Sequence, residues 1–567
     1  MNNARLRILI IGGYGAFGGR LARLLADENR LTLVIAGRSK ERARSFCADL
    51  QAGAEVTAAQ FDRDGALEAQ VRAIDPNIVV DASGPFQTYG DDPYRLARAA
   101  LALGVHYMDF ADGSEFVHGI KRLDAAAQER DVFLLSGVSS FPVLTAAVVR
   151  HLAQGLERVD SITAGIAPSP YAVLGQNVIR AIASYAGKEV ALIRNGQASA
   201  GYGLAESLRY TICPPGRLPL RNRRFSLVDV PDLKVLPLQW PDLRSIWTGA
   251  GPVPESLHLA LNVLAWCVRL KLLPSLSFLA PLFYRAINTC RWGEHRGGMF
   301  VSIDGSRSDG EKVTRSWHLL AEGDDGPLIP SMAIAAIVRQ CLNGRGPAAG
   351  ARAAFNDLNL AGYENFFRRR AIVTGVREVA AGGASAPLYQ CILGSAWQQL
   401  PQQIRDMHDV VTTLTAEGRA DVDRGRNALS KAIGWLFGFP PEGRDVPLTV
   451  HFVSDGQHER WTRKFGDRSF SSDQAAGRGR SDKLLVESFG PFSFGLALVV
   501  SSDRLLLVVR RWTLFGLPLP LSLAPYGHAY EFVEGGRFNF HVEIFLPIIG
   551  LITRYQGYLV PAPAHGP

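Results

Sequence analysis

The chain has 567 residues, 47% of them hydrophobic, and a net charge of +8. That length and apolar content can bury more than one core, for about two to four domains. Its basic residues are mostly isolated arginines, with a tight run at 368–370. A nucleic-acid partner would need a clustered basic face with interleaved aromatics, and none is seen; a modest attraction to an anionic membrane surface or substrate stays open. The six cysteines (47, 213, 267, 290, 341, 391) form no C-x-x-C pair and have no histidine at ligand spacing, so neither a disulfide scaffold nor a metal site is expected.

Residues 8–18, ILIIGGYGAFG, run from an apolar strand into a glycine-rich turn that opens an amphipathic helix over 16–27. Gly13, Gly15 and Gly18 fall on G-x-G-x-x-G: a tight turn, a close backbone approach to a pyrophosphate, and a close fit of helix on strand. Ala16 and Phe17 then lie in the first helical turn, where free N–H groups and the macrodipole favour an anion. The bland alternative is a mere Gly-rich turn. Because the start of the chain is read as this strand and not as a signal peptide, the expectation is a reducing, cytoplasmic compartment.

The next strand, 31–36, lacks the Asp or Glu that would hold a ribose 2′-hydroxyl and continues Gly37-Arg38-Ser39-Lys40. Arg38 and Ser39 suit a 2′-phosphate, so NADP(H) is expected; if Arg38 is only a solvated surface residue, NAD is the cofactor. A strand over 54–61 ends in Asp62, a candidate contact for the adenine end. Strands over 77–82, 105–110 and 132–135 alternate with helices over 92–103 and 114–130. The fold class is therefore α/β, with a Rossmann-type doubly wound parallel sheet over 1–150 and its ligand at the carboxyl ends of the strands.

IGGYGAFG, AGRS, DASGPFQTYG (81–90) and GVHYMDFADG (104–113) together resemble the saccharopine-dehydrogenase-like family of NAD(P)-dependent oxidoreductases. The resemblance implies that Ser83, Gly84, Pro85 and Phe86 approach the nicotinamide half of the cofactor, and that Tyr107 and Asp109 border a substrate cleft. Tyr89 and Gly90 match the family's Tyr-Gly; Asp112-Gly113 departs from its Gly-Glu, which puts the role of that Glu in doubt here. Tyr89, Tyr107 and Asp109 are the catalytic candidates, each equally open to a structural reading. The family includes enzymes of amino-acid imine chemistry and others that reduce double bonds in lipid precursors. Segments at 328–360 resemble its closing helix and trailing loop, and the last ~180 residues resemble an uncharacterised domain often fused behind such enzymes.

An α+β substrate domain is expected over 151–380, with a hairpin joining 299–305 to 317–322 and a closing segment, 328–380, packing back on the first domain. His295 and Arg296 are pocket groups or ordinary loop residues. The apolar stretch 256–284 reads as a buried or homodimer-forming helical pair, as a hairpin dipping into one leaflet at the inner face of a membrane, or as a spanning helix. A linker at 380–386 precedes a domain over 387–567, with helices over 388–407 and 426–437 and eight strands from 448 to 560. These make a mainly antiparallel curved sheet or half-barrel able to enclose a hydrophobic ligand, with a greasy mouth or a proline-kinked core edge at 514–523. The expected reaction is hydride transfer to or from a small or lipid-like substrate; the alternative is a non-catalytic lipid carrier or scaffold that binds nucleotide.

Overall fold

The computed structural model describes residues 5–86, 89–173, 175–380 and 386–562. It forms two units: Met1–Leu208 with Arg224–Thr374, and Arg209–Arg223 with Gly375–Pro567. Most of the expected linker, 381–385, lies outside the described residues.

In the first unit, β1 (Leu6–Ile11), β2 (Leu31–Gly37), β3 (Glu55–Gln60), β4 (Ile78–Asp81), β5 (His106–Asp109) and β6 (Phe133–Ser136) pair in parallel. Their spatial order is 6-5-4-1-2-3. Helices cover both faces of such a sheet, which is why β2 and β4 are buried along their whole length. Strand order reverses between β1 and β4, and the crevice at their carboxyl ends is where ligands of this topology sit.

The helix α1 (Ala16–Leu25) buries Leu21, Ala22, Leu24 and Leu25 against this sheet. The expected helix over 114–130 is instead three pieces: Ser114–Gly119, a 3-10 turn Ile120–Leu123, and Asp124–Glu129. The Tyr94 hydroxyl donates to the Phe116 carbonyl at 2.7 Å, engaging from outside a group that a continuous helix would bond internally. The trailing loop near 350 contains a strand, Gly350–Ala353, which pairs with β6. Its residues, GARA, carry no β-branched signal. Helix Ile329–Leu342 lies on α1, where Ser331 donates to the Phe17 carbonyl (3.1 Å) and Arg339 to the Leu24 carbonyl (3.1 Å).

The second sheet is mixed. Its centre runs Ser245–Ala250, Arg158–Ala167, Arg296–Ser306, Lys312–Glu322, the last two forming the expected hairpin. Over 256–284 the chain makes helix Glu255–Arg269, a 3-10 turn Ser277–Leu279, and the start of helix Ala280–Thr289. No helix among the described residues is long and apolar enough to cross a membrane. The first has 15 residues, about 22 Å of rise against a hydrocarbon core of about 30 Å. The buried face of this helix mixes His258 and Asn262 with Ala265 and Val268. His258 and Asn262 are buried on Ser226 Oγ at 2.8 and 2.9 Å, and burial pushes the His258 imidazole down to about 4. Leu259, Val263 and Trp266 face solvent.

The C-terminal unit is a closed antiparallel barrel. Its ring runs Phe492–Ser501, Leu485–Phe489, Arg468–Ala476, His458–Phe465, Gly443–Ser454, Thr413–Arg424, Gly550–Pro561, Arg537–Leu546, Ala529–Glu534 and Arg504–Leu514, which pairs back with the first. Closure replaces the expected half-barrel and removes both sheet edges. The sequence reading missed Thr413–Arg424 and Arg468–Ala476. Their inward positions are largely small or polar (Ala416, Ala420, Ser472, Gln474), so no apolar alternation announces them. The helical region 388–407 is broken at Gly394 (φ +58) and Pro401.

Residues Arg209–Arg223 belong to this unit although they precede it by a long stretch of chain. Buried Arg377 donates through Nε to the Cys213 carbonyl and through Nη1 to the Ile392 carbonyl, both at 2.8 Å. The Val500 amide donates to the Gly216 carbonyl at 2.9 Å.

Candidate functional site

The turn after β1 is shaped by four glycines. Gly12 takes φ +76, and a Cβ there would lie 2.7 Å from the Ala82 carbonyl oxygen, so this turn abuts the segment leaving β4. A Cβ on Gly18 would come within 2.4 Å of the Gly12 carbonyl oxygen. Gly12 is the residue the sequence reading passed over; the Gly-Gly pair was its signal. The amides of Gly12 and Gly13 donate to the Ala36 carbonyl at 2.8 and 3.1 Å, tying the turn to the end of β2. No side chain caps α1 at Gly15, and its first turn, with exposed Ala16 and half-buried Phe17, holds no acid. The helix start is therefore electropositive and open to an anion.

At the end of β2 Arg38 is exposed, and Ser39 caps the next helix by accepting the Arg42 amide at 3.2 Å. The Ser39 amide donates to the Tyr14 hydroxyl (3.2 Å), and the Arg42 guanidinium lies 4.9 Å from the Tyr14 ring centroid. Arg42, over the Tyr14 ring of the glycine turn, is an addition to the sequence-derived set. Asp62 sits in an exposed turn, pinned by Gln70 through hydrogen bonds of 2.7 and 2.8 Å.

The carboxyl ends of β4 and β5 gather the remaining groups. Asp81, wholly buried, accepts from the Ser83 amide (3.0 Å) and hydroxyl and from Tyr89 Oη (3.3 Å), while Arg63 approaches it at 3.5 Å. Tyr89 Oη lies 3.0 Å from Ser83 Oγ, and the Arg63 guanidinium stands 3.0 Å from the Tyr89 ring centroid. Neither Asp81 nor Arg63 was singled out from sequence. Burial, then the charge of Asp81, raises the Tyr89 phenol above its ordinary value, so it holds its proton at neutral pH. Phe86 packs on Tyr89 (4.9 Å) and Phe116 (5.2 Å), and Phe17 stacks on Phe110 (5.5 Å). Gly84 and Pro85 lie between Ser83 and Phe86 in the segment that leaves β4.

Asp109 pairs in register with Asp81 and is fully buried, and Tyr107 is 2% exposed. Of the three catalytic candidates Tyr89 alone is half-buried. Asp109 Oδ1 accepts from the Ala111 amide (3.0 Å), the Ser136 hydroxyl (3.0 Å) and the Gly137 amide (2.8 Å). Its Oδ2 has no partner among the described residues. Burial outweighs those bonds and lifts the carboxyl to about 7. His295 Nε2 lies 3.1 Å from Asp324 Oδ1, and Arg296 forms an ion pair with Glu294 at 3.2 Å, at the start of a strand in the second sheet.

Residues 8–135 match the family model described as saccharopine dehydrogenase NADP binding domain, and residues 400–559 match a domain of unknown function, DUF4166. No curated protein sequence matches the chain. Among solved structures, saccharopine dehydrogenase (L-Glu forming) from Saccharomyces cerevisiae is similar at 11% identity and a TM-score of 0.46, over 66% of this chain and 99% of that one. Biliverdin reductase from Synechocystis sp. PCC 6803, solved with biliverdin and NADP+, is similar at 12% identity and a TM-score of 0.29, over 60% and 92% of the two chains. The WlbA dehydrogenase from Thermus thermophilus, solved with NAD and alpha-ketoglutarate, is similar at 14% identity and a TM-score of 0.27, over 60% and 89%. The glycine turn and basic β2 end described above lie within the stretch that matches the saccharopine dehydrogenase NADP binding domain, and most of the barrel lies within the stretch that matches DUF4166.

Proposed function

We propose that the chain is an NADP(H)-dependent oxidoreductase that reduces a C=C, C=N or C=O bond of a small or lipid-like substrate, at the carboxyl ends of β4 and β5. The observation that carries this reading is the Ser83–Tyr89–Asp81–Arg63 cluster beside the glycine turn. Bound NADPH supplies the hydride. The chain's part is to place the cofactor with the α1 amides and the β2-end arginines, and to hold a proton at Tyr89 Oη for the atom next to the reduced carbon. Arg63 over the Tyr89 ring favours the phenolate left behind, and Ser83 and Asp81 fix the hydroxyl. Asp109 and Tyr107 act as positioning residues beneath. Asp109 holds the Ala111 and Gly137 amides.

The coenzyme choice is testable by fluorescence titration with NADPH and NADH. NADPH should bind at least about tenfold more tightly, and Arg38→Ala should erase that margin, about 1.4 kcal/mol. Equal affinities in the wild type would return the site to NAD. NADPH consumption monitored with apolar enones and imines then tests turnover. A protein that binds NADPH and consumes none with any of them fits the second reading, a nucleotide-binding lipid carrier, which draws on the apolar interior of the barrel.

Helix Glu255–Arg269 carries the partner proposal. Leu259, Val263, Trp266 and Leu270 form an exposed apolar stripe, continued by Leu272 and Phe278 and accompanied by Arg269, Lys271 and Arg285. Apolar rings and cations side by side suit peripheral contact with an anionic membrane, the long cations snorkelling toward the headgroups. Co-sedimentation with anionic vesicles should be lost in Val263→Glu; concentration-dependent dimerisation without vesicle binding would assign the stripe to a homodimer.

A further inference from the structure

The barrel has its polarity on the outside. Glu417, Arg419, Arg460, Lys464 and Asp473 are exposed on its strands, whereas Leu448, Val450, Phe452 and Trp461 point inward and are buried. An outer-membrane barrel has the opposite arrangement. A ten-strand ring is wider than side chains alone fill. At one end the helices of 388–408 plug it, with Tyr389 stacked on His408 at 3.8 Å and Trp461 5.5 Å beyond His408. The rest of the interior is a cavity of about 680 Å³, walled by rings such as Phe439, Phe492, Phe494, Phe538 and Trp512. That volume is in the range of sites that enclose one lipid-sized ligand.

Each carboxylate of the cavity wall has a hydrogen-bonding or ionic partner. Glu487 Oε1 accepts from Arg463 (3.2 Å), Ser472 (2.7 Å) and Gln474 (3.1 Å). Glu531 pairs with His408 at 2.7 Å, and Glu543 with Arg554 and with His541 at 3.5 Å. An ionised headgroup entering here would lose its water and meet cations already engaged by carboxylates, a net cost. A hydroxyl, ketone or ester could share the donors and acceptors of Arg463, Gln474 and Glu487.

The order of the strands places the links 425–442, 490–491, 515–528 and 547–549 at the end opposite the plug. These links hold much of the exposed apolar surface of the unit: Leu429, Trp435 and Leu436 on helix Ala428–Leu436, then Phe515, Leu517 and Leu523, then Ile548. Leu436, Leu521 and Tyr526 also line the cavity, so its opening is ringed by these side chains. Trp435 is 74% and Phe515 80% exposed, a large cost in water unless the rim meets an apolar surface.

We propose that the C-terminal barrel is a binding site for one neutral lipid-like molecule, its chain among the interior rings and an uncharged polar head at Arg463–Glu487–Gln474, taken up from a bilayer through the apolar rim. The inference stands apart from the redox reading: it concerns a different site and requires no nucleotide.

The experiment uses the full chain and two fluorescent probes, a tail-labelled C16 alcohol and the corresponding C16 carboxylate, at pH 8. The alcohol should saturate at one per chain and bind at least tenfold more tightly than the carboxylate, with or without NADPH. Val509→Trp, which fills the cavity from its wall, should abolish alcohol binding while NADPH binding persists. Trp435→Glu with Phe515→Glu, both largely exposed, should slow uptake from phosphatidylcholine vesicles at least tenfold without changing affinity for the dispersed alcohol. Equal affinity for both probes, or binding that survives Val509→Trp, overturns the interior site. Unchanged vesicle uptake in the rim variant, or a dimer that the rim variant dissociates, overturns loading from a membrane. The probe comparison on the unaltered chain decides the interior site even where a variant fails to fold.

Discussion

Gly18→Ala is expected to lower NADPH affinity by a hundredfold or more, roughly 2.7 kcal/mol, while the chain stays folded. The three nearest neighbours of a Cβ at this position are all backbone: Gly12 O at 2.4 Å, Gly13 Cα at 2.8 Å and Gly12 C at 2.9 Å. No side-chain rotation relieves such a contact, so α1 must move off the turn, and the amides that would face the pyrophosphate move with it. The helix can retain its apolar contacts through Leu21, Leu24 and Leu25. Titration of the variant with NADPH, beside its circular dichroism and melting curve, provides the check. Wild-type affinity in a folded variant would remove the glycine turn from the site.

Asp109→Asn should be more stable than the wild type at neutral pH and equal to it in acid. The carboxyl is lifted from about 3.8 to about 7 by burial. A carboxyl raised on folding contributes stability that is intact below its unfolded pKa and is lost as pH climbs through the folded one. The wild type therefore weakens relative to Asn between about pH 4 and pH 7, by roughly 4 kcal/mol in all, and the difference is flat above. Asn is the fitting replacement because Oδ1 carries all three hydrogen bonds and Oδ2 has none among the described residues. Asp232 is raised to the same range, and only the difference between the two proteins isolates Asp109. Urea midpoints from pH 4 to 8 give the result; a difference that does not change with pH would show that Asp109 is ionised in the fold throughout.

How much of this was legible in the sequence depended on whether the signal was local. The β1 turn was readable because Gly13, Gly15 and Gly18 lie within six residues and their conformational requirements are met by the adjacent backbone. Ser39 caps the helix that follows β2, which is also a local signal. Asp81 and Arg63 were not readable: they meet because β3 and β4 end on the same side of the sheet while β1 and β2 lie between them. Arg42 was hidden in a charged helix, and only its position over Tyr14 sets it apart. In the barrel, strands with aromatic or branched inward residues announced themselves. Thr413–Arg424 is held in place by its neighbours on both sides, an influence no window of sequence contains. In helix 255–269 the polar His258 and Asn262 face inward beside Ala265 and Val268, an arrangement that the apolar tally of the stretch does not announce.

The fifteen residues that leave the first unit early and join the second constrain how such a protein is made. During synthesis this segment emerges long before the strands it serves, so the unit is assembled from two separated stretches of chain. The Cys213 and Gly216 carbonyls must still be waiting for Arg377 and Val500. A fragment beginning at Gly375 would lose both acceptors and leave a buried guanidinium with one carbonyl fewer to donate to.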